Sequence, residues 1–179
     1  MLKKMSAWVL FFGIVCPLSA SADDSLVKFK GGIGVHPVSN VAGDAVVINN
    51  VTTFPNVTRN VVRGVNPAGQ LWVIADLRAD VKADGLGSVK VRGKGLLLAG
   101  GNTIGTNAGQ SVRATLICEV ANPVLHDTGL VPLEINGDFQ IDDVLNPPPP
   151  AVCDSPVLLI RNPAGSWFAA GILKRDDDD

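Results

Sequence analysis

Hydrophobic and charged residues alternate along two stretches in the middle of the chain. Apolar residues occupy every second position over Leu71–Val81, and a similar alternation resumes over Val89–Leu96. A period of two places successive side chains on opposite faces of a β-strand. Because the Asp84–Gly85 pair between the stretches suits a tight turn, the sequence predicts an antiparallel hairpin. Its charged residues are expected to share one solvated face: Asp76, Arg78, Asp80, Lys90, Arg92 and Lys94.

Shorter apolar stretches, bounded by turn-forming residues, fill most of the remaining sequence. Little of the chain has a helical period, and 19 glycines and 12 prolines interrupt it. The spacing predicts an all-β fold, an antiparallel sandwich or barrel of roughly nine or ten short strands. Val51–Asn60 is expected to be a loop or an edge. Further strands are predicted at Leu26–Lys30, Ala45–Ile48, Ser111–Val120, Leu130–Ile135, Asp138–Ile141, Val157–Ile160 and Trp167–Leu173.

The Met1–Ala22 segment has the three parts of a secretory signal peptide. Lys3 and Lys4 supply a positive end, Ala7–Val15 is apolar, and Ala20–Ala22 has the small-x-small pattern of a cleavage site. The alternative is an uncleaved membrane anchor, but the apolar run is shorter than the roughly 20 residues that a spanning helix needs. We therefore expect export, to the periplasm, the cell surface or the medium.

Signal removal leaves one domain. The sequence predicts a single all-β domain over 23–173, followed by a disordered acidic tail, Lys174–Asp179. Cys16 raises the alternative of a lipoprotein, although the residues around it are not the small ones that lipidation favours. No later stretch is long and apolar enough to cross a bilayer.

Two cysteines remain after the signal, Cys118 and Cys153. An even pair in an exported protein predicts a disulfide. The loop would enclose about 35 residues, for which the chain-entropy model gives about 3–4 kcal/mol of stabilisation. The alternative is a metal pair or a catalytic thiol, but neither cysteine has a second cysteine three positions away or a histidine nearby.

The formal charge of the chain is −2. A small negative charge argues against a nucleic-acid partner, which would require a basic face. The sequence indicates no cofactor.

Three sites of chemistry can be considered from residue types alone. Ala99–Gln110, rich in Gly, Asn and Thr, resembles an anion-binding loop but lacks the Gly-Lys-Ser/Thr ending, so it is read as a connection that could face a ligand. His126 and Asp127 could serve a metal or a triad, yet two residues do not make a zinc site, and no Gly-x-Ser-x-Gly turn presents a serine. The acidic residues of Asp138–Asp143 could bind calcium or could form a solvated face.

Trp72 and Trp167 could form a carbohydrate platform, because aromatic rings pack against sugars. Burial of both rings in the core is the favoured interpretation. Asn50 and Asn56 begin N-glycosylation sequons.

Several segments together resemble uncharacterised secreted bacterial proteins. The resemblance implies export and a structural cysteine pair, and it carries no activity or site. The segments are Val61–Val65, Trp72–Ile74, Ala114–Cys118, Cys153–Arg161 and Trp167–Gly171.

These observations favour an exported, non-catalytic β-domain with a binding, surface or structural role, and with a cell-surface molecule or carbohydrate as the partner class. The alternative is a secreted enzyme or metal-dependent binder that uses His126, Asp127 and the carboxylates of Asp138–Asp143. Enzymatic activity is the less favoured of the two.

Overall fold

The structure is a computed structural model that describes residues 24–39, 46–53 and 57–175, so the predicted signal segment Met1–Ala22 and the acidic run Asp176–Asp179 lie outside the described residues. All of the regular elements in these ranges are β-strands, and every strand pair is antiparallel. The all-β prediction is confirmed. No helix in the described ranges could span a membrane.

The strand bounds are β1 (Ser25–Gly34), β2 (Pro37–Ser39), β3 (Val46–Ile48), β4 (Val51–Thr53), β5 (Val57–Arg59), β6 (Trp72–Val73), β7 (Asp76–Lys82), β8 (Ser88–Lys94), β9 (Leu97–Leu98), β10 (Ser111–Ile117), β11 (His126–Asp127), β12 (Val131–Pro132), β13 (Phe139–Val144), β14 (Val157–Arg161) and β15 (Trp167–Leu173). The predicted loop or edge at Val51–Asn60 thus contains two short strands, each in a separate two-stranded ribbon.

Nine strands form one sheet that curls into a half-barrel. Their order is β11-β10-β14-β15-β1-β7-β8-β13, with β12 beside β10. The two ends of this order meet, because Asp127 of β11 forms an antiparallel bridge with Asn146, just beyond β13. Each backbone amide of this bridge donates a hydrogen bond to the other's carbonyl, at 3.0 and 2.9 Å.

The inside of the curl is filled by aliphatic side chains. On β7 and β8 the buried positions alternate with exposed ones, as period two requires. On β10 and β14 both faces are covered, so the run from Ala114 to Ile117 is buried throughout. Full burial of each large side chain contributes about 1.5–3 kcal/mol. The largest of them are Leu77, Leu96, Leu116, Ile117, Ile141, Leu145, Leu158, Leu159 and Ile160.

The predicted hairpin of β7 and β8 is confirmed. Its register pairs Arg78 with Arg92 and Asp80 with Lys90. The connection is longer than a two-residue turn, and Asp84 organises it: one carboxylate oxygen accepts hydrogen bonds from the amides of Leu86 (2.8 Å) and Gly87 (2.9 Å). Hydrogen bonding, first from Ser88 and then from these amides, lowers the pKa of Asp84.

The prediction of one continuous strand over Leu71–Val81 is wrong. The chain leaves the sheet at Ile74–Ala75, so that Trp72 is buried and Val73 is exposed, the reverse of the predicted faces. Strand β6 pairs instead with β9 and crosses β1 at Gly34, where a Cβ atom would lie 1.9 Å from the carbonyl oxygen of Trp72. A residue without a side chain is therefore required at this crossing.

The predicted disulfide is confirmed. Cys118 follows β10 and Cys153 precedes β14, and these strands are paired as far as Ile117 and Val157. The two Cα atoms are 4.7 Å apart, within the usual range for a disulfide. The bond therefore covalently closes one end of the central β10–β14 pair.

Removal of this bond tests its contribution to stability. We expect the Cys118→Ser/Cys153→Ser double variant to keep the fold and to lose about 3 kcal/mol of unfolding free energy, because the unfolded chain is released from a long closed loop. Urea denaturation followed by circular dichroism measures this loss. An unchanged midpoint would contradict a stabilising role.

Candidate functional site

The side chain of Asp127 is bound within the sheet by an arginine that lies far away in the sequence. Its carboxylate lies 3.1 Å from the Arg161 guanidinium and accepts a hydrogen bond of 2.5 Å from Thr115. Arg161 is 9% exposed, and its Nε also donates to the carbonyl oxygen of Gly165 at 2.9 Å. A second cation, Arg113, lies 3.6 Å from the other carboxylate oxygen. This network joins β10, β11 and β14, and it engages both carboxylate oxygens of Asp127 in contacts within the protein.

His126 points away from this network and into the interior. It is 3% exposed, and its Nδ1 lies 2.8 Å from the carbonyl oxygen of Pro147. Because a carbonyl only accepts, Nδ1 is the donor in this contact. Nε2 is buried and has no hydrogen-bond partner among the described residues. The histidine therefore binds a backbone carbonyl instead of the carboxylate that a triad would need.

The carboxylates of Asp138–Asp143 hold separate pieces of backbone. Asp138 accepts a hydrogen bond from the amide of Gly95 at 2.9 Å, and Asp143 accepts one from the amide of Gly129 at 2.7 Å. Asp142 faces Lys90 at 3.5 Å on the exposed surface. Within the described ranges, no three His, Cys, Asp or Glu side chains come together as metal ligands.

Trp72 lies in the wall of a small cavity. Its ring stacks on Phe168 of β15, with centroids 3.9 Å apart and an angle of 17° between the planes. Both residues are almost fully buried, and both line a cavity of about 270 Å³. Trp72 is thus a core residue that also contributes to a recess, rather than a bare aromatic platform.

The rest of the cavity wall is neutral and mixes polar with apolar groups. Three amide side chains and one hydroxyl line it, together with small apolar groups, and none of the lining residues is ionisable. The glycine-rich loop Ala99–Gln110 contributes three of the lining residues, Thr103, Ala108 and Gln110, so it does face a recess. The polar lining residues are Gln70, Thr103, Gln110 and Asn162.

Two turns of similar sequence frame this cavity, although their similarity by itself indicates only shared turn chemistry. The motif Asn-Pro-Ala-Gly occurs at Asn66–Gly69 and at Asn162–Gly165, each shortly before a tryptophan. The first turn packs on Trp167: the Ala68 amide donates to the Trp167 carbonyl at 2.9 Å, and the Trp167 amide donates to the Asn66 carbonyl at 3.0 Å. Ala68 and Asn162, one from each turn, both line the cavity. The repeated motif was the available signal.

A larger cavity, of about 450 Å³, lies beside the disulfide. Its wall mixes Asp154 with Lys28, Lys174 and Arg175, and it contains no aromatic ring. A wall with charges of both signs is as compatible with solvent as with a bound ligand, so it indicates no ligand class. The cavity beside Trp72 has the more selective lining and is the better candidate site.

Comparison with known proteins gives no further guide: a scan against protein-family models, a search of curated proteins and a search of solved structures each found no match.

The role of Asp127 can be tested by removing its charge. We expect Asp127→Ala to cost roughly 2–4 kcal/mol of unfolding free energy, because Arg161 would remain buried without its partner; the value is reduced because Asp127 is partly exposed. Asp142→Ala, which breaks an exposed pair, is the matched control and should cost less than about 0.5 kcal/mol. Equal small losses in both variants, measured by urea denaturation, would show that the Asp127 network is not structural.

Proposed function

We propose that this protein is an exported, non-catalytic binding domain, and that the cavity beside Trp72 and Phe168 binds a small neutral polyhydroxylated ligand such as a monosaccharide. The lining of that cavity carries the proposal. It combines an aromatic pair with amide and hydroxyl groups and has no ionisable side chain.

The chemistry of the wall selects the class of ligand. Amide side chains both donate and accept hydrogen bonds, which matches the hydroxyl groups of a sugar. The aromatic pair offers only a small apolar edge to the cavity, because both rings are almost fully buried, so the amide and hydroxyl groups carry the recognition. A charged ligand would be buried against Gln70, Gln110 and Asn162 without a counter-charge, which is costly.

The size of the cavity limits the ligand. A volume of about 270 Å³ lies just below the roughly 300–1,000 Å³ of sites for drug-sized molecules. One monosaccharide unit, or the end of a longer chain, is therefore the expected occupant. The loop residues Thr103 and Ala108 lie at this cavity, so we expect the glycine-rich loop to contribute to selectivity.

Export supports the same role. A disulfide persists in oxidising compartments outside the cytoplasm, where carbohydrate is abundant at cell surfaces. The signal-like segment Met1–Ala22 points the same way.

Calorimetric titration with a panel of neutral monosaccharides tests the proposal. We expect at least one sugar to bind, and Gln70→Ala to weaken it about fivefold, because a hydrogen bond contributes about 1 kcal/mol. Gln70 is exposed, so this change should leave the melting temperature unaltered, whereas Trp72→Ala would also remove core packing. Gln140→Ala, on the exposed face of β13, is the matched control and should bind normally. Absence of binding to every sugar at millimolar concentration would refute the proposal.

A further inference from the structure

The outer face of β1, β7 and β8 concentrates positive charge that the composition of the whole chain conceals. The formal net charge is −2. A groove of about 440 Å³ on this face is nevertheless lined by six basic residues and one acidic residue. The basic residues are Lys28, Lys30, Arg78, Lys90, Arg92 and Lys174, and the acidic one is Asp80.

The strand register places like charges side by side. Lys30 is paired with Arg78, and Arg78 is paired with Arg92, so three cations form a row across three neighbouring strands. Strands in a sheet lie about 4.8 Å apart, and like charges directly opposite each other destabilise it. The side chain of Arg92 forms no hydrogen bond or ion pair with any other described residue. Folding alone does not explain this row, because its side chains lie outside the core.

The one carboxylate in the groove is paired with a cation outside the groove lining. Asp80 lies 3.0 Å from the ammonium of Lys82, which is not part of the groove lining, and it accepts a hydrogen bond of 2.6 Å from Ser25. Lys82 also binds Asp24 at 2.7 Å. These hydrogen bonds, first with Asp24 and then with Asp80, raise the pKa of Lys82, which stays protonated. The residues that line the groove therefore carry an excess of positive charge. Two of the cations also have acidic partners beside the groove: Asp76 lies 3.3 Å from Arg78, and Asp142 lies 3.5 Å from Lys90.

The shape and lining select one kind of anion. Proteins bind single-stranded nucleic acid by stacking bases on aromatic rings, but the one aromatic residue in the lining, Phe29, is 3% exposed. A lipid bilayer presents its phosphates as a flat surface, whereas the six cations line a single groove. A chain with regularly repeated negative charges can instead lie along the groove and meet several cations at once.

We propose that this groove binds a linear acidic polysaccharide, with Arg78 and Arg92 as its central contacts. Arg guanidinium groups form paired hydrogen bonds with carboxylates, which a uronic acid unit supplies. The groove shares no lining residue with the cavity beside Trp72, so each proposed site can be tested and refuted independently of the other.

The experiment titrates the purified full-length protein with polygalacturonate, with neutral dextran as the uncharged control. We expect polygalacturonate to bind at low ionic strength and to bind less tightly as salt screens the charges, and dextran not to bind. Arg92→Gln should weaken binding roughly fivefold, and the Arg78→Gln/Arg92→Gln variant roughly 25-fold. Both variants should melt at or above the wild-type temperature, because a like-charge contact is relieved.

Lys94→Gln is the matched control, since it removes the same charge from the same strand but lies outside the groove lining and opposite Asp76. It should bind within about twofold of wild type. A loss as large as that of Arg92→Gln would show a diffuse charge effect and overturn the site. Absence of polygalacturonate binding at low salt would overturn it as well. Tighter binding to phosphatidylglycerol vesicles or to single-stranded DNA than to polygalacturonate would overturn the polysaccharide as the ligand of this groove.

Discussion

The ion pair between Arg161 and Asp127 lies where the curled sheet meets itself. Arg161 belongs to β14, in the interior of the strand order, and is almost fully buried. Asp127 belongs to β11, the first strand in that order, and its backbone bridges to Asn146 beyond the last one. A charge buried in this way requires a partner, because desolvation without one costs several kcal/mol. The need of Arg161 for a charged partner therefore holds β11 beside β10 and β14. Because β11 bridges to Asn146, it also holds the two ends of the sheet together.

Once the sheet is curled, its two sides take different roles. The inner side is filled by aliphatic residues, and the disulfide closes one end of its β10–β14 pair. The outer side over β1, β7 and β8 is freed from packing and carries the cations of the groove. The cavity beside Trp72 arises differently, where β6 departs from the sheet to pair with β9. Both proposed sites thus follow from how the sheet is built, and neither requires a mobile element.

Local pattern was sufficient for the parts of the fold that depend on neighbours in the sequence. The hairpin of β7 and β8 follows from alternation and a short connection, and the Cys118–Cys153 bond follows from the two cysteines that lie outside the predicted signal segment. The face of Trp72 could not be found in this way. Alternation continues through Ile74–Ala75, and the break there depends on a crossing over Gly34 that only the tertiary structure provides.

The sites were less accessible from sequence because their members are distant along the chain. His126 and Asp127 are adjacent and suggested chemistry, whereas the partner of Asp127 is Arg161, 34 positions away. Arg78 and Arg92 were expected on a solvated face with compensating acids. The row of three cations depends on the pairing of β1 with β7, which brings Lys30 next to Arg78 and is not encoded in the local pattern.

Native-state hydrogen exchange at the meeting point of the sheet ends tests the central claim most directly. The amides of Asp127 and Asn146 are bonded to each other's carbonyls. If the ion pair holds these ends together, both amides should exchange nearly as slowly as those of β10 and β14. Rapid exchange at both positions, while β10 and β14 stay protected, would show that the sheet ends are not joined.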